Sequence, residues 1–215
     1  MTLSELLHGA IKALEGEGVR YALAGGVATL AYRKNPRTTD DIDFLILAKA
    51  RTEEVAKRIV ISLGLTPGIA RKADLEGGPM FAIKRGNTEP YIIVGRDPKD
   101  RKVIGVDFIL PAFPWFEDAL SRAELNRIPF GHDVVPCLTI EDVIVSKLYA
   151  LRNNKRRFSD MDDLQSIFQS DHEIDLPYLC AQMNTFQIPI PEPLTEVVPD
   201  VIRKISKSIR RQKRR

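Results

Sequence analysis

The chain has 215 residues, of which 44% are apolar and 28% are charged. This length suits one mid-sized domain, or a domain with a smaller appendage, and the apolar content is too high for a disordered chain. No run of about 18 apolar residues occurs and the N-terminus lacks a secretory pattern, so we expect no stable membrane insertion. The two cysteines, Cys137 and Cys180, are far apart. The sequence therefore predicts neither a disulfide nor a zinc framework and favours a cytoplasmic location.

The net charge of +3 is an average of two different regions. Residues 201–215 hold eight Lys and Arg and no acid, which leaves 24 basic against 29 acidic residues in residues 1–200. The sequence thus predicts an acidic body with a basic tail, not a uniformly basic nucleic-acid surface. Three interpretations of the tail stay open, in decreasing order of preference: a solvated terminal helix, a contact with RNA phosphates, or adsorption to an anionic membrane.

The first part of the chain alternates helical and strand-like patterns. The predicted elements are a helix at 3–17, a strand at 20–24, a helix at 27–34, a strand at 42–47, a helix at 51–64, and strands at 80–84, 91–94 and 103–110. Strands that alternate with helices and then follow one another indicate an α+β fold with a mixed sheet.

After about residue 135 only helical patterns follow. Thr139, Ser159 and Asp175 are the predicted N-caps of three helices, and Pro199 opens a last one. We therefore predict an α/β domain at 1–133, a helical portion at 134–198 that completes the site, and a basic C-terminal helix or tail at 199–215.

Three aspartates carry the chemistry that the sequence suggests. On a strand, Asp41 and Asp43 point to one face with Cα atoms roughly 6.6 Å apart, so both carboxylates can reach one hard cation such as Mg²⁺. Asp107 is isolated in the apolar strand at 103–110 and needs a partner, either the same cation or an arginine. If the two strands are neighbours, the three carboxylates can hold two ions for a phosphoryl or nucleotidyl displacement.

A glycine pair lies where the first strand turns into a helix. Gly25 and Gly26 allow a sharp bend and a close approach of an anion, and the helix N-terminus behind them favours a phosphate. Arg37 could add a cationic contact and Thr39 a hydroxyl. Taken alone, the glycine pair is equally typical of an ordinary tight turn.

The pattern of Gly25-Gly26, then Arg37-x-Thr39-x-Asp41-Ile42-Asp43, then a lone strand aspartate resembles the nucleotidyltransferases of the DNA polymerase beta superfamily. The segment at 118–168 is similar to the AbiEii-type group, whose helical segment carries a lysine, a basic linker and an aspartate. The matching positions are Lys147, residues 152–157 and Asp160. Asp40 is an additional acid without a role in this pattern.

The resemblance implies an enzyme that moves an NMP from an NTP to an acceptor hydroxyl, on the 3′ end of a tRNA or on a protein. It implies two Mg²⁺ ions, or Mn²⁺, bound by the catalytic Asp41, Asp43 and Asp107. It also implies that Gly25 and Gly26 hold the triphosphate. Such proteins are known as toxins of toxin–antitoxin and phage-defence systems, so an antitoxin is an implied partner.

Alternatives remain for single residues and for the function. The resemblance implies that Lys147 contacts a phosphate and that Asp160 orients it, whereas the helical pattern alone places Lys147 on a solvated face and Asp160 in a helix first turn. The chain could instead be a non-catalytic nucleotide-binding or regulatory partner. It could also be an antibiotic-type adenylyltransferase that acts on a small molecule.

Overall fold

The computed structural model describes residues 2–70, 92–100, 103–111, 113–153 and 157–212. The described residues form two compact units: the first contains 2–31, 37–70 and those between 92 and 139, and the second contains 32–36 and those from 140 onward. The strand that we predicted at 80–84 lies outside the described residues. The division at 133 and 198 stays a prediction.

The first unit is built on a five-stranded sheet. Its elements are α1 (Leu3–Gly16), β1 (Arg20–Ala24), α2 (Gly25–Leu30), β2 (Asp41–Leu47), α3 (Thr52–Ser62), β3 (Thr66–Ala70), β4 (Ile92–Arg96), β5 (Gly105–Ile109), α4 (Phe116–Leu125), β6 (Arg127–Phe130) and β7 (Asp133–Pro136). The strand order is β1-β2-β5-β4-β3, and β6 and β7 form a separate hairpin. The β2–β5 pair is parallel and the other neighbours are antiparallel, so the predicted mixed sheet of an α+β fold is confirmed.

The central strands β2 and β5 are the most apolar part of this sheet. Phe44 and Phe108 are register partners, and their rings stack with centroids 5.9 Å apart. Both rings are fully buried, as is Ile42 on the same face. Because side chains alternate along a strand, this packing turns Asp41 and Asp43 toward the opposite face. The apolar residues of β2 thus determine where its two carboxylates point.

The second unit is helical, as the sequence predicts. It consists of α5 (Ile140–Asn153), α6 (Phe158–Phe168), α7 (Leu176–Thr185), a 3₁₀ helix (Glu192–Leu194) and α8 (Asp200–Gln212). Helix α5 is buried on all sides from residue 140 to residue 151, which is typical of a helix at the centre of a core. Asp175 caps α7, and its Oδ1 accepts the amide of Tyr178 at 2.9 Å.

Several element boundaries differ from the predictions. Helix α2 covers Gly25–Leu30 instead of 27–34, and residues 32–36 belong to the second unit. The predicted cap at Ser159 is wrong, because α6 begins at Phe158 with Arg157 at its cap and no side-chain cap hydrogen bond. Strand β3 was missed because it contains Pro67 and Gly68, which a sheet tolerates at its edge. Helix α4 and the β6–β7 hairpin were also missed.

No helix among the described residues combines the length and the apolar character that crossing a bilayer requires.

Candidate active site

The parallel pairing of β2 and β5 brings three carboxylates together. Asp43 and Asp107 are register partners, and Asp41 precedes Asp43 by two residues on the same face of β2. Oxygen atoms of all three lie within 4.8 Å of one another. This is the convergence that we expected if the two strands were neighbours. Three carboxylates at this spacing repel one another, and a cation between them relieves that repulsion.

The three aspartates differ in their surroundings. Asp107 is 8% exposed, whereas Asp41 and Asp43 are half-buried. Burial raises the pKa of Asp107 above its ordinary value, and the hydrogen bond from Arg96 opposes that rise. Asp107 is thus the carboxylate of the three that is most removed from solvent.

Arg96, the last residue of β4, neutralises part of this charge. Its guanidinium donates to both oxygens of Asp107, with Nη2–Oδ2 at 3.0 Å, and lies 3.7 Å from Oδ2 of Asp41. Gly105 leaves room for this arrangement, since a β-carbon there would lie 2.3 Å from Nη1 of Arg96. The arginine partner that the sequence left open for Asp107 is therefore present, beside the other two carboxylates.

The glycine turn that follows β1 touches the same carboxylates. Gly25 has a φ of +57°, and a β-carbon there would lie 1.8 Å from Oδ2 of Asp43. Gly26 lies close to the segment before β2: a β-carbon on residue 26 would be 2.5 Å from Oγ1 of Thr39 and 3.3 Å from Nη2 of Arg37. Only glycines allow this backbone to lie against these side chains.

Thr39 and Arg37 are thus placed beside the turn. The Thr39 hydroxyl donates to the carbonyl of Asp41 at 3.2 Å, and Nη1 of Arg37 donates to the carbonyl of Thr38 at 2.7 Å. These contacts order the segment that leads into β2. The first unit therefore brings together seven of the residues that the sequence singled out: Gly25, Gly26, Arg37, Thr39, Asp41, Asp43 and Asp107.

The donor set fits a divalent cation. Carboxylate oxygens are the ligands that Mg²⁺ prefers, and Mg²⁺ needs few of them because it keeps several waters. The three oxygens that lie within 4.8 Å of one another meet this requirement.

A comparison with protein families decides which family this arrangement belongs to. The family model described as "Nucleotidyl transferase AbiEii toxin, Type IV TA system" matches residues 10–188, which is most of the chain. The chain belongs to the AbiEii nucleotidyltransferase family. The enzyme class that the sequence predicted is therefore confirmed. The matched segment ends before α8 begins. No curated protein matches the chain.

Solved structures agree with the fold of this AbiEii nucleotidyltransferase. It resembles the antibiotic-resistance factor ANT(2″)-Ia in complex with adenylyl-2″-tobramycin, at 13% identity and a TM-score of 0.52, with 99% of each chain covered. The solution structure of the same factor gives a TM-score of 0.51, with 98% of this chain and 92% of that chain covered. Protein JHP933 from Helicobacter pylori, also 13% identical, gives 0.47, with 98% and 93% covered.

The second unit of the AbiEii nucleotidyltransferase contains a buried network of charges. Lys147 of α5 is 3% exposed, and its Nζ lies 2.9 Å from Oδ1 of Asp160 and 2.6 Å from Oδ2 of Asp163. Arg157 pairs with the other oxygen of Asp160, and Arg33 pairs with the other oxygen of Asp163. The interpretation of Lys147 as a solvated residue is wrong, because α5 is buried all round.

Sequence reasoning missed three members of these charge clusters. Arg96 and Asp163 belong to no sequence motif. Arg33, which pairs with Asp163, precedes it by 130 residues in the chain. One signal was available for Asp163. It lies three residues after Asp160, so in a helix it shares the face of that residue.

Proposed function

We propose that the chain is a Mg²⁺-dependent nucleotidyltransferase that moves an NMP from an NTP to a hydroxyl of RNA, at a tRNA 3′ end, or of a protein. The observation that carries this proposal is the convergence of Asp41, Asp43 and Asp107 beside the glycine turn. Membership in the AbiEii family supports it, since the family is one of nucleotidyltransferases.

The residues of the first unit divide into two groups in this proposal. Asp41, Asp43 and Asp107 would hold Mg²⁺, or Mn²⁺ in its place. The triphosphate would bind beside Gly25 and Gly26, whose backbone lies against the Asp43 carboxylate and the Thr39 hydroxyl. Arg37 and Thr39 border the same turn. The guanidinium of Arg37 would donate to phosphate oxygens, and so would the Thr39 hydroxyl if it turned away from the carbonyl of Asp41.

In the proposed reaction the acceptor hydroxyl attacks the α-phosphorus of the NTP. A bond forms between the acceptor oxygen and this phosphorus, the bond to pyrophosphate breaks, and pyrophosphate leaves with the electron pair. Asp107, the most buried of the three carboxylates, would help to take the proton of the hydroxyl. Asp41, Asp43 and Asp107 would hold divalent ions, which would supply charge neutralisation and activation of the hydroxyl.

The buried pair of Lys147 and Asp160 has a separate proposed role. Among the described residues, Asp160 and Asp163 use two of the three N–H groups of Lys147, and the third would donate to a phosphate oxygen. Asp160 fixes the lysine and would thereby orient that contact. This proposal predicts that Lys147→Met lowers NTP affinity more than Lys147→Arg does.

We further propose that the chain acts as the toxin of a toxin–antitoxin or phage-defence system. The description of the matching family, a toxin of a type IV system, supports this proposal. An antitoxin would then be a partner, and a cytoplasmic site of action would follow from an intracellular RNA or protein acceptor.

The test is label transfer from each of four α-³²P-labelled NTPs, with Mg²⁺, into a total cell extract. Nuclease and protease digestion of the product then identifies an RNA or a protein acceptor. The proposal expects Mg²⁺-dependent label on one of the two, and growth arrest on expression. No label with any NTP would overturn it, and resistance to an aminoglycoside without growth arrest would favour a small-molecule adenylyltransferase.

A further inference from the structure

We propose that the basic face of α8 holds a phosphodiester-binding site for the RNA acceptor, apart from the catalytic carboxylates. This inference rests on the proposed function for the choice of RNA. The site is a cavity of about 40 Å³ within the second unit. Its lining residues are Ile190, Thr195, Arg203, Ser206, Lys207 and Arg210. Helix α8 lies beyond residue 188, where the family match ends.

The cavity is lined by three cations and carries no acid among its lining residues. Arg203, Lys207 and Arg210 succeed one another at spacings of four and three, so they follow one face of the helix. Arg210 is fixed in place because its Nη2 donates to the carbonyl of Ile190. Among the described residues, Arg203 is the one cation of the three with an acidic partner, the exposed Asp200, so the face keeps a net positive charge that attracts anions.

Arg203 contributes its side chain to the lining of this cavity. The side chain is 37% exposed, and its Nη2 pairs with Oδ1 of the exposed Asp200 at 2.6 Å. An ion pair between solvent-exposed groups is weak, so a phosphate in the cavity can compete with Asp200 for the guanidinium.

The dimensions of the cavity suit one phosphate group. A cavity needs about 10–15 Å³ to hold one water, so 40 Å³ has room for about three oxygen-sized positions. The Thr195 hydroxyl borders this space as a further donor. Lys207 is exposed and forms no ion pair with the described residues, so its ammonium is available to a ligand. A phosphodiester with two free oxygens fits this set of donors.

The packing of α8 argues against a membrane as the ligand. A helix that lies on a bilayer inserts its apolar face between the lipids. The apolar side of α8 is already used, because Ile202 and Ile209 are fully buried in the second unit. Only Val201 remains exposed among the large apolar residues of this helix. The side of α8 that faces solvent is mainly basic, which suits a polyanion such as RNA.

The test measures RNA binding without catalysis. Bulk tRNA, oxidised with periodate and labelled with a fluorophore at its 3′ end, cannot serve as an acceptor. Its affinity is measured by anisotropy in EDTA, without NTP, from 50 to 300 mM KCl. The variants are Arg203→Gln/Lys207→Gln and, as a control of equal charge, Lys204→Gln/Arg211→Gln, whose exposed residues lie on the same helix outside the cavity.

We expect the cavity variant to bind about tenfold more weakly at 100 mM KCl. The slope of log affinity against log salt concentration should become shallower by about one to two, because each phosphate contact contributes about 0.7–0.9 to it. The control should stay within about threefold, since its charges contact no phosphate in the cavity. Asp43→Asn should bind tRNA like the wild type, which separates this inference from the proposed catalysis. Equal losses in both double variants, no loss in either, or binding to anionic vesicles but not to tRNA would overturn it.

Discussion

Gly25 and Asp43 are so close that a β-carbon on residue 25 would lie 1.8 Å from Oδ2 of Asp43. The backbone of Gly25 also adopts the left-handed conformation, with a φ of +57°. This contact connects the turn after β1, where the triphosphate is proposed to bind, with the carboxylate on β2. The two halves of the proposed site therefore depend on one glycine.

Gly25→Ala should weaken metal binding as well as activity, because the new methyl group must displace the Asp43 carboxylate. Gly18→Ala is the matched control, since Gly18 has a φ of +61° but no atom within 4 Å of a β-carbon. Both variants should lose about 1–2 kcal/mol of stability from the left-handed backbone. Mn²⁺ titration followed by electron paramagnetic resonance should show weakened binding in Gly25→Ala alone. Equal binding in both variants would contradict the contact.

Arg96→Gln should bind Mn²⁺ more tightly than the wild type. The guanidinium neutralises Asp107 and lies near Asp41, so a metal must compete with it for the same oxygens. We expect a gain of about tenfold, equivalent to about 1.4 kcal/mol, together with a lower melting temperature in EDTA. Arg58→Gln, which removes an exposed pair with Glu17, is the control and should leave Mn²⁺ affinity unchanged. Weaker Mn²⁺ binding by Arg96→Gln would show that the arginine supports the metal site.

Asp163→Asn should destabilise the second unit strongly, while Asp162→Asn should not. Asp163 is fully buried and pairs with both Lys147 and Arg33, so its neutralisation leaves each of these buried cations with one carboxylate where it had two, at about 3–5 kcal/mol. Asp162 also pairs with Arg33, but its side chain is 64% exposed, so its replacement should cost about 1 kcal/mol or less. Urea unfolding of the two variants checks this difference. Similar midpoints would mean that the network contributes little.

The central strand and its carboxylates could be predicted because they follow a local rule. Apolar residues that alternate with Asp41 and Asp43 indicate a strand with two acids on one face, and β2 has this form. Asp107 stood out because a charge in an apolar strand needs a partner. The mixed sheet followed from the order of the patterns.

The rest could not be predicted because it depends on contacts between distant segments. Arg96 reaches Asp107 through strand pairing, and Arg33 reaches Asp163 across 130 residues. The burial of α5 is also a tertiary property, so the helical period of its sequence wrongly indicated that Lys147 faces solvent. Strand β3 contradicts its local propensity because the edge of the sheet accepts proline and glycine.

The rate of label transfer by Asp43→Asn, compared with Asp40→Asn, tests the central claim most directly. The two acids are three residues apart, but Asp40 is exposed and lies outside the three-carboxylate cluster. With the NTP and acceptor fraction that the wild type labels, Asp43→Asn should lower the Mg²⁺-dependent rate by roughly 100-fold or more. Asp40→Asn should retain the wild-type rate. Transfer by Asp43→Asn at the wild-type rate would contradict the assignment of the catalytic site.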